Sequence, residues 1–271
     1  MPELPEVETT RRSLEPCLVG RRIVSVTVRD RRLRWPVPLD LEASLAGACI
    51  DRVERRAKYL LIGVGGGTLL AHLGMSGNLQ VVDGATPVRK HDHVDIVLDD
   101  TRVLRFHDPR RFGSMHWLAG ADRSHPLLDS LAPEPLTDAF DGGYLHAVTR
   151  NRSAAIKHIL MNGALVTGVG NIYASEALFR AGINPKTAAR RLSTARCATL
   201  VAAVKETLAL AIDAGGSTLR DYVDAGGRPG YFQQQSLVYE RGGEPCRRCG
   251  ATIRHIRQGQ RSTYYCAACQ T

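Results

Sequence analysis

Two Cys-x2-Cys pairs near the C-terminus constrain the fold of this chain more than any other feature of its sequence. The four cysteines are Cys246, Cys249, Cys266 and Cys269, and 16 residues separate the two pairs. Two pairs at this spacing are typical of a zinc site, and four thiolates leave no open coordination position. The sequence therefore predicts one structural Zn²⁺ and a β-hairpin with strands near 251–257 and 261–265. Two redox-active Cys-x2-Cys motifs are the alternative.

The remaining cysteines give no sign of a disulfide framework. Cys17, Cys49 and Cys197 stand alone in apolar sequence and are predicted to be buried thiols. An odd total of seven argues against complete pairing. The N-terminus lacks the apolar core of a signal peptide, and no apolar stretch reaches the length of about 18 residues that a membrane span needs. We therefore expect a cytoplasmic protein.

The charge of the chain suits a polyanionic partner. The formal net charge is +9 and the pI is about 9.4. A basic excess of this size is typical of nucleic-acid binding, although a basic soluble protein without such a partner has the same composition. The excess is concentrated in 241–271, which holds six Arg and one Glu. Two smaller basic groups are Arg55/Arg56/Lys58 and Arg110/Arg111.

The N-terminal half is patterned as a β-structure with one leading helix. Residues 3–19 predict a helix, and Gly20 suits its end. A β-branched strand follows at 23–28. Two hairpins follow, with turns at 65–67 and 99–101. We therefore predict an antiparallel β-sandwich or barrel in an N-terminal domain of residues 1–132.

The periodicity becomes helical after a Pro- and Gly-rich segment at 131–143. Three helices are predicted: one around Ile156, one around Ile172 that ends near Gly182, and one that Ser193 caps. Gly215-Gly216 ends the third helix, and 215–231 is predicted to be a mobile glycine-rich loop. The predicted class is α+β, with a helical domain at 133–240 and a zinc finger at 241–271.

Seven motifs occur in one order along the whole chain: PELPEVET at 2–9, RRAKYLL at 55–61, HLGMSG at 72–77, DPRRFG at 108–113, GVGNIYASEALF at 168–179, PGYF at 229–232 and the four-Cys finger. With this set the sequence resembles the formamidopyrimidine-DNA glycosylase family of bacterial DNA-repair enzymes. The resemblance implies excision of oxidised purines from duplex DNA, followed by strand cleavage through β,δ-elimination. It also implies a helix–two-turns–helix element and no organic cofactor. A single site acting on one lesion suggests a monomer.

The resemblance assigns catalysis to Pro2, Glu3, Lys58 and Arg261. Pro2 would attack the sugar as a free secondary amine once Met1 is removed, and Glu3 would transfer protons. Lys58 would assist base loss and the first elimination, and Arg261 would contact the phosphate at the lesion. From the residues alone, Pro2 also suits an ordinary helix start, Lys58 an exposed strand lysine and Arg261 a surface arginine. Glu6 fits either a helix cap or a residue that orients the site.

The resemblance also assigns the contacts with DNA. Met75, Arg110 and Phe112 would fill the gap that a flipped base leaves, although Met75 and Phe112 also suit a protein core. Three further residues would contact the DNA backbone: His91, Arg152 and Asn171. The loop at 215–231 would cover the flipped base.

Two other functions are compatible with parts of this pattern. The first is the related endonuclease VIII type of glycosylase, which removes oxidised pyrimidines and shares Pro2 and Glu3. The sequence PELPE at 2–6 and the set Met75, Arg110 and Phe112 favour the purine enzyme. The second is a non-catalytic zinc-ribbon protein that binds DNA without forming a covalent intermediate.

Overall fold

The structure is a computed structural model that describes residues 2–120, 123–217 and 230–271. These residues form two compact units. The first contains residues up to Asp129 together with the described residues of 215–231. The second contains Ser130–Ala214 and Phe232–Thr271.

The first unit is an antiparallel β-sandwich with a leading helix, as the sequence predicts. Its elements are α1 (Leu4–Leu18), β1 (Ile23–Val28), α2 (Leu41–Leu45), β2 (Ile50–Arg56), β3 (Tyr59–Val64), β4 (Gly67–His72), β5 (Asn78–Val82), β6 (Asp92–Leu98), β7 (Val103–His107), β8 (Ser114–Leu118) and α3 (Pro126–Asp129). One four-stranded sheet has the order β1-β6-β7-β5, and the other has the order β2-β3-β4-β8.

A single cluster of buried apolar side chains joins α1 to both sheets. Leu14 of α1 belongs to the same cluster as Ile62 of β3 and Phe106 of β7. Strands of each sheet turn alternate side chains toward this core, since successive side chains of a strand point to opposite faces. The helix therefore begins against the sandwich core, and its first residues are held there.

Both predicted hairpins are confirmed. Gly65 and Gly66 connect β3 to β4 with φ angles of 54° and 86°, a region that glycine enters without steric cost. The segment 99–101 connects β6 to β7.

Two predictions in this half are wrong. Lys58 lies in the two-residue turn between β2 and β3 rather than in a strand, because Ala57 has a φ of 55° and reverses the chain. The predicted burial of the isolated cysteines also fails here: Cys49 is exposed, because it lies just before the sheet begins at Ile50, and Cys17 is only partly buried.

The second unit is helical and ends in a hairpin. Its elements are α4 (Gly142–Thr149), α5 (Ile156–Leu160), α6 (Asn171–Arg180), α7 (Thr194–Asp213), β9 (Arg254–Gln258) and β10 (Arg261–Tyr265). Helices α5, α6 and α7 confirm the three predicted helices. The Ser193 hydroxyl caps α7 by accepting the Arg196 N–H at 3.3 Å. Arg261 begins β10, beside the turn of the hairpin, as the sequence predicts.

Helix α4 was not predicted from the sequence. It opens on Gly142-Gly143, which disfavours a helix by about 1 kcal/mol per glycine relative to alanine. The Asp141 carboxylate compensates by accepting the Tyr144 N–H at 2.7 Å. In the described part of the chain, no helix is long and apolar enough to cross a membrane.

Candidate functional site

The first residues of the chain are buried and held in a reciprocal cap. Glu3 precedes α1, and its carboxylate accepts the Glu6 N–H, while the Glu6 Oε2 atom accepts the Glu3 N–H at 2.7 Å. Glu3 is 2% exposed, Glu6 is 1% exposed, and Pro2 is buried beside them. This capping box fixes the backbone of the Pro2-Glu3 pair against the helix start.

The second carboxylate oxygen of Glu6 binds a segment that is distant in the sequence. Its Oε1 atom accepts the N–H of Ser217 at 2.8 Å. Gly216 lies so close that a Cβ there would be 3.0 Å from Oε1, and its φ of 81° also favours glycine. Glu6 is therefore the helix-cap residue that one interpretation predicts, and it also holds the segment after α7.

The start and end of the glycine-rich segment lie side by side. Ser217 and Tyr231 form an antiparallel bridge, and a Cβ on Gly230 would lie 2.4 Å from the Gly216 carbonyl oxygen. Residues 218–229, most of the predicted loop, lie outside the described residues.

His72 lies near Lys58 and is kept neutral. Burial, followed by the positive charges of Lys58 and Arg34, lowers the pKa of His72 to about 4. Its Nδ1 atom accepts the Gly74 N–H at 2.9 Å, so the ring proton is on Nε2. His72 was not predicted as a site residue, although it stands at the end of a buried strand within the HLGMSG motif.

Met75, Arg110 and Phe112 come together on two adjoining turns. Met75 is 39% exposed and Phe112 is 41% exposed, which is unusual for large apolar side chains beside a core. The guanidinium of Arg110 stacks 5.1 Å from the centre of the Phe112 ring. A Cβ on Gly74 would lie 2.4 Å from the Gly113 nitrogen, so the two turns touch through their backbones.

A buried carboxylate between these turns fixes their geometry. Asp108 is 0% exposed. Its Oδ1 atom accepts the Ser76 hydroxyl at 2.8 Å and the Arg110 N–H at 3.3 Å. Its Oδ2 atom accepts the Gly113 N–H at 2.8 Å. Asp108 thereby ties the turn that carries Met75 to the turn that carries Arg110 and Phe112. This role of Asp108 was not predicted from the sequence.

His91 belongs to the same unit and has an unusual backbone. Its φ is 79°, and its carbonyl accepts the Asp108 N–H at 3.0 Å. Desolvation, then the positive charges of the neighbouring Lys90 and His107, lower the pKa of His91.

Asn171 links the start of α6 to the hairpin in the second unit. Its Nδ2 donates to the Ser262 carbonyl at 3.0 Å and to the Tyr239 hydroxyl at 3.2 Å. Lys157 of α5 is 1% exposed, and its Nζ donates to the Ser262 carbonyl at 3.0 Å and to the Thr263 hydroxyl at 2.7 Å. Both helices are therefore hydrogen-bonded to β10, the strand that begins at Arg261.

Glu176 holds the segment that leads into the finger. It is 0% exposed, and its carboxylate accepts the N–H groups of Leu237, Val238 and Tyr239 at 2.8–2.9 Å. Neither Glu176 nor Lys157 was identified from the sequence. The only sequence feature that could have indicated their roles is the position of a charged residue on the apolar face of a helix.

Arg261 and Arg152 are both exposed in the second unit. Arg152 follows α4, and its Nε donates to the Val148 carbonyl at 2.9 Å, so part of its guanidinium caps that helix. Arg261 starts β10 at the turn of the hairpin.

The four predicted zinc ligands form a cluster. The ligand atoms of Cys246, Cys249, Cys266 and Cys269 all lie within 4.8 Å of one another. The Sγ atoms of Cys249 and Cys266 are 3.5 Å apart, and those of Cys246 and Cys269 are 3.9 Å apart. Tetrahedral Zn²⁺ with Zn–S bonds of about 2.3 Å needs sulfur atoms about 3.8 Å apart, so the residues fit one structural zinc.

Domain models of one family match most of the chain. The formamidopyrimidine-DNA glycosylase N-terminal domain matches residues 1–115, and the formamidopyrimidine-DNA glycosylase H2TH domain matches residues 131–223. The zinc finger found in FPG and IleRS matches residues 243–271.

Similar proteins agree with these matches. The chain is 57% identical over 270 residues to the formamidopyrimidine-DNA glycosylase of Stutzerimonas stutzeri and 58% identical over 283 residues to that of Cupriavidus pinatubonensis, with full coverage of both proteins. The crystal structure of the Thermus thermophilus MutM (FPG) protein has a TM-score of 0.88 at 40% identity, covering 99% of this chain and 98% of that one. A complex between Lactococcus lactis Fpg and DNA containing an abasic site has a TM-score of 0.91 at 34% identity, with both chains fully covered.

Replacement of Glu6 tests its double anchoring role. We expect Glu6→Ala to lower the free energy of unfolding by about 2–5 kcal/mol, because two buried N–H groups lose their acceptor. Glu15→Ala on the same helix is the control, since Glu15 is half exposed and makes a surface pair with Arg11, which contributes at most about 1 kcal/mol. Urea unfolding measures both, and equal losses would contradict the role of Glu6.

The neutral state of His72 predicts a pH dependence of stability. The unfolded histidine takes up a proton near pH 6.5, but the folded one does so only near pH 4. The folded state therefore loses stability as the pH falls from about 6.5 to 4. We expect the pH profile of unfolding free energy to be flatter in this window for His72→Gln than for the wild type. Parallel profiles would contradict the assignment.

The cysteine cluster predicts the metal content. We expect about one zinc per chain in the wild type and none in Cys249→Ser, as measured by elemental analysis of the purified protein. Cys49→Ser is the matched control, because Cys49 is also an exposed cysteine but lies outside the cluster. Full zinc occupancy in Cys249→Ser would argue against a four-thiolate site.

Proposed function

The chain belongs to the formamidopyrimidine-DNA glycosylase family, and from this premise we propose that it excises oxidised purines, such as 8-oxoguanine and formamidopyrimidines, from duplex DNA and then cleaves the strand. The observation that carries the proposal for its mechanism is the buried Pro2-Glu3 pair, held by the Glu6 carboxylate. It joins an N-terminal imino acid to a carboxylate at a fixed backbone position.

Pro2 is the proposed nucleophile, with Met1 removed during maturation. Its secondary amine attacks C1′ of the damaged nucleotide, and the bond between C1′ and the base breaks. The C1′–O4′ bond of the sugar then breaks, O4′ takes up a proton, and the amine and C1′ form a cationic iminium. The iminium acidifies the C2′ proton so that the phosphates can leave by elimination. An α-amino group has an ordinary pKa of about 7.7–8.0, whereas a lysine at about 10.4 is almost fully protonated at neutral pH. An N-terminal proline therefore suits this step.

Three other residues complete the proposed chemistry. Glu3 moves protons between the amine, the sugar and the departing base. Lys58, in the turn between β2 and β3, assists base loss and the first elimination. Arg261 binds the phosphate at the lesion and assists the second elimination, for which a planar guanidinium is suited.

Met75, Arg110 and Phe112 are proposed to fill the space that the flipped nucleotide leaves. Flipping costs a few kcal/mol, less for a damaged pair, and the cost falls further when apolar side chains replace the lost stacking. Arg110 can hydrogen-bond to the orphaned base. The Asp108 contacts support this role, because a wedge must keep its shape when it enters the duplex.

His91, Arg152 and Asn171 are proposed to contact the DNA backbone. The zinc supplies structural cross-linking to the finger hairpin, whose basic side chains face the phosphates. The proposed location is the bacterial cytoplasm, where the DNA substrate lies.

Borohydride trapping tests the reaction. Duplexes with one 8-oxoguanine or one oxidised pyrimidine are incubated with the mature protein, and borohydride reduces the iminium to a stable covalent complex. We expect trapping mainly with 8-oxoguanine. Trapping mainly with the pyrimidine lesion would favour the endonuclease VIII type, and no trapping with either duplex would leave a non-catalytic DNA-binding protein.

The N-terminus provides the control. One residue added before Pro2 converts its amine into an amide, so trapping should disappear while DNA binding stays. The same residue added after Thr271 should have no effect. Trapping that persists in the N-terminal variant would rule out Pro2 as the nucleophile.

A further inference from the structure

One stretch of the second unit is almost free of acidic residues. Between residues 142 and 205 there are nine Lys or Arg and one carboxylate, that of Glu176. Glu176 is buried and binds three backbone N–H groups, so it does not offset the charge at the surface. The basic residues at the surface of this stretch therefore face solvent without acidic neighbours in sequence.

Backbone pairing brings the segment that carries Lys186, Arg190 and Arg191 beside the segment that carries Arg152. We call these four residues the basic patch. Ala155 and Ala188 form an antiparallel bridge, and the Arg190 N–H donates to the Arg152 carbonyl at 3.0 Å. Lys186 stands 5.4 Å above the ring of Tyr265 in the finger hairpin. All four side chains of the basic patch belong to exposed residues.

The basic patch has no internal counter-charge. Within the part of the chain that the structure describes, none of its four side chains makes an ion pair. Arginines of the first unit behave differently: Arg21, for example, lies 3.2 Å from Asp100. Like charges held together without partners repel one another, and a bound anion relieves that repulsion.

The chemistry of the basic patch favours DNA over a protein partner. The core of a protein interface is usually apolar and rich in aromatic residues and Met. Among the described residues, none of the exposed large apolar side chains falls between residues 142 and 205. Guanidinium groups and an ammonium group on a polar surface suit hydrogen bonding and ion pairing with the phosphates of a DNA backbone.

We propose that the basic patch is an additional binding surface for the phosphate backbone of duplex DNA, in which Lys186, Arg190 and Arg191 add contacts to those of Arg152, Asn171 and Arg261. This inference rests on the proposed function, because it presupposes a DNA substrate. The added contacts are independent of sequence and of the lesion, since phosphates carry no base information. They therefore strengthen binding to undamaged and damaged duplexes alike.

The salt dependence of affinity tests the proposal. Fluorescence anisotropy measures the Kd for labelled undamaged and 8-oxoguanine duplexes between 50 and 200 mM salt. Two lost phosphate contacts reduce the slope of log K against log salt by about 1.8. Across this fourfold salt range, the wild type should thus lose roughly tenfold more affinity than Arg190→Ser/Arg191→Ser.

Two controls separate the basic patch from total charge and from folding. Arg21→Ser/Arg22→Ser also removes two adjacent arginines, but Arg21 pairs with carboxylates; it should keep the wild-type slope. Arg190→Lys/Arg191→Lys keeps the charge and should also keep most of the slope.

An unchanged slope in Arg190→Ser/Arg191→Ser, with a normal circular dichroism spectrum, would overturn the proposal. A wild type that binds neither duplex would instead overturn the proposed function.

Discussion

Buried carboxylates must be satisfied by hydrogen-bond donors, and this constraint organises the described parts of the protein. Glu6, Asp108 and Glu176 are each at most 1% exposed, and each accepts backbone N–H groups from segments outside regular secondary structure. An unsatisfied buried polar group costs about 1–3 kcal/mol, and a charged one more. The loops that bind these carboxylates are therefore held in place, because breaking the hydrogen bonds would leave a buried charge unsatisfied.

This constraint explains how a site made largely of loops can act on DNA. Met75 and Phe112 are exposed apolar residues, but the turns below them are fastened to one another through Asp108. Pro2 and Glu3 precede the first helix, where chain ends usually fray, but Glu6 binds the backbone ahead of the helix. The proposed roles of Pro2 as nucleophile and of Met75 and Phe112 as a wedge both depend on fixed geometry, since misplacement by about 1 Å can cost 10²-fold in rate.

Charge is distributed differently in the two units. Arginines of the first unit frequently pair with carboxylates, as Arg105 does with Asp95 at 2.9 Å. In the second unit, the four side chains of the basic patch make no ion pair within the described residues. The buried ammonium group of Lys157 instead donates hydrogen bonds to the hairpin. A basic surface of this kind attracts DNA over a distance set by the salt concentration, about 8–10 Å under ordinary conditions.

The sequence by itself determined the elements that depend on local patterns. The zinc ligands, the three predicted helices, the two hairpins and the family followed from spacing, periodicity and ordered motifs, because those signals lie within short stretches of chain. Helix α4 was missed because two glycines hide its start, and Lys58 was misplaced because the left-handed φ of Ala57 leaves no mark in the sequence. Only the tertiary structure decided what Glu6, Asp108, Glu176 and Lys157 do. Their partners lie up to 211 residues away, and no local pattern tells a surface charge from a buried one until the chain has folded around it.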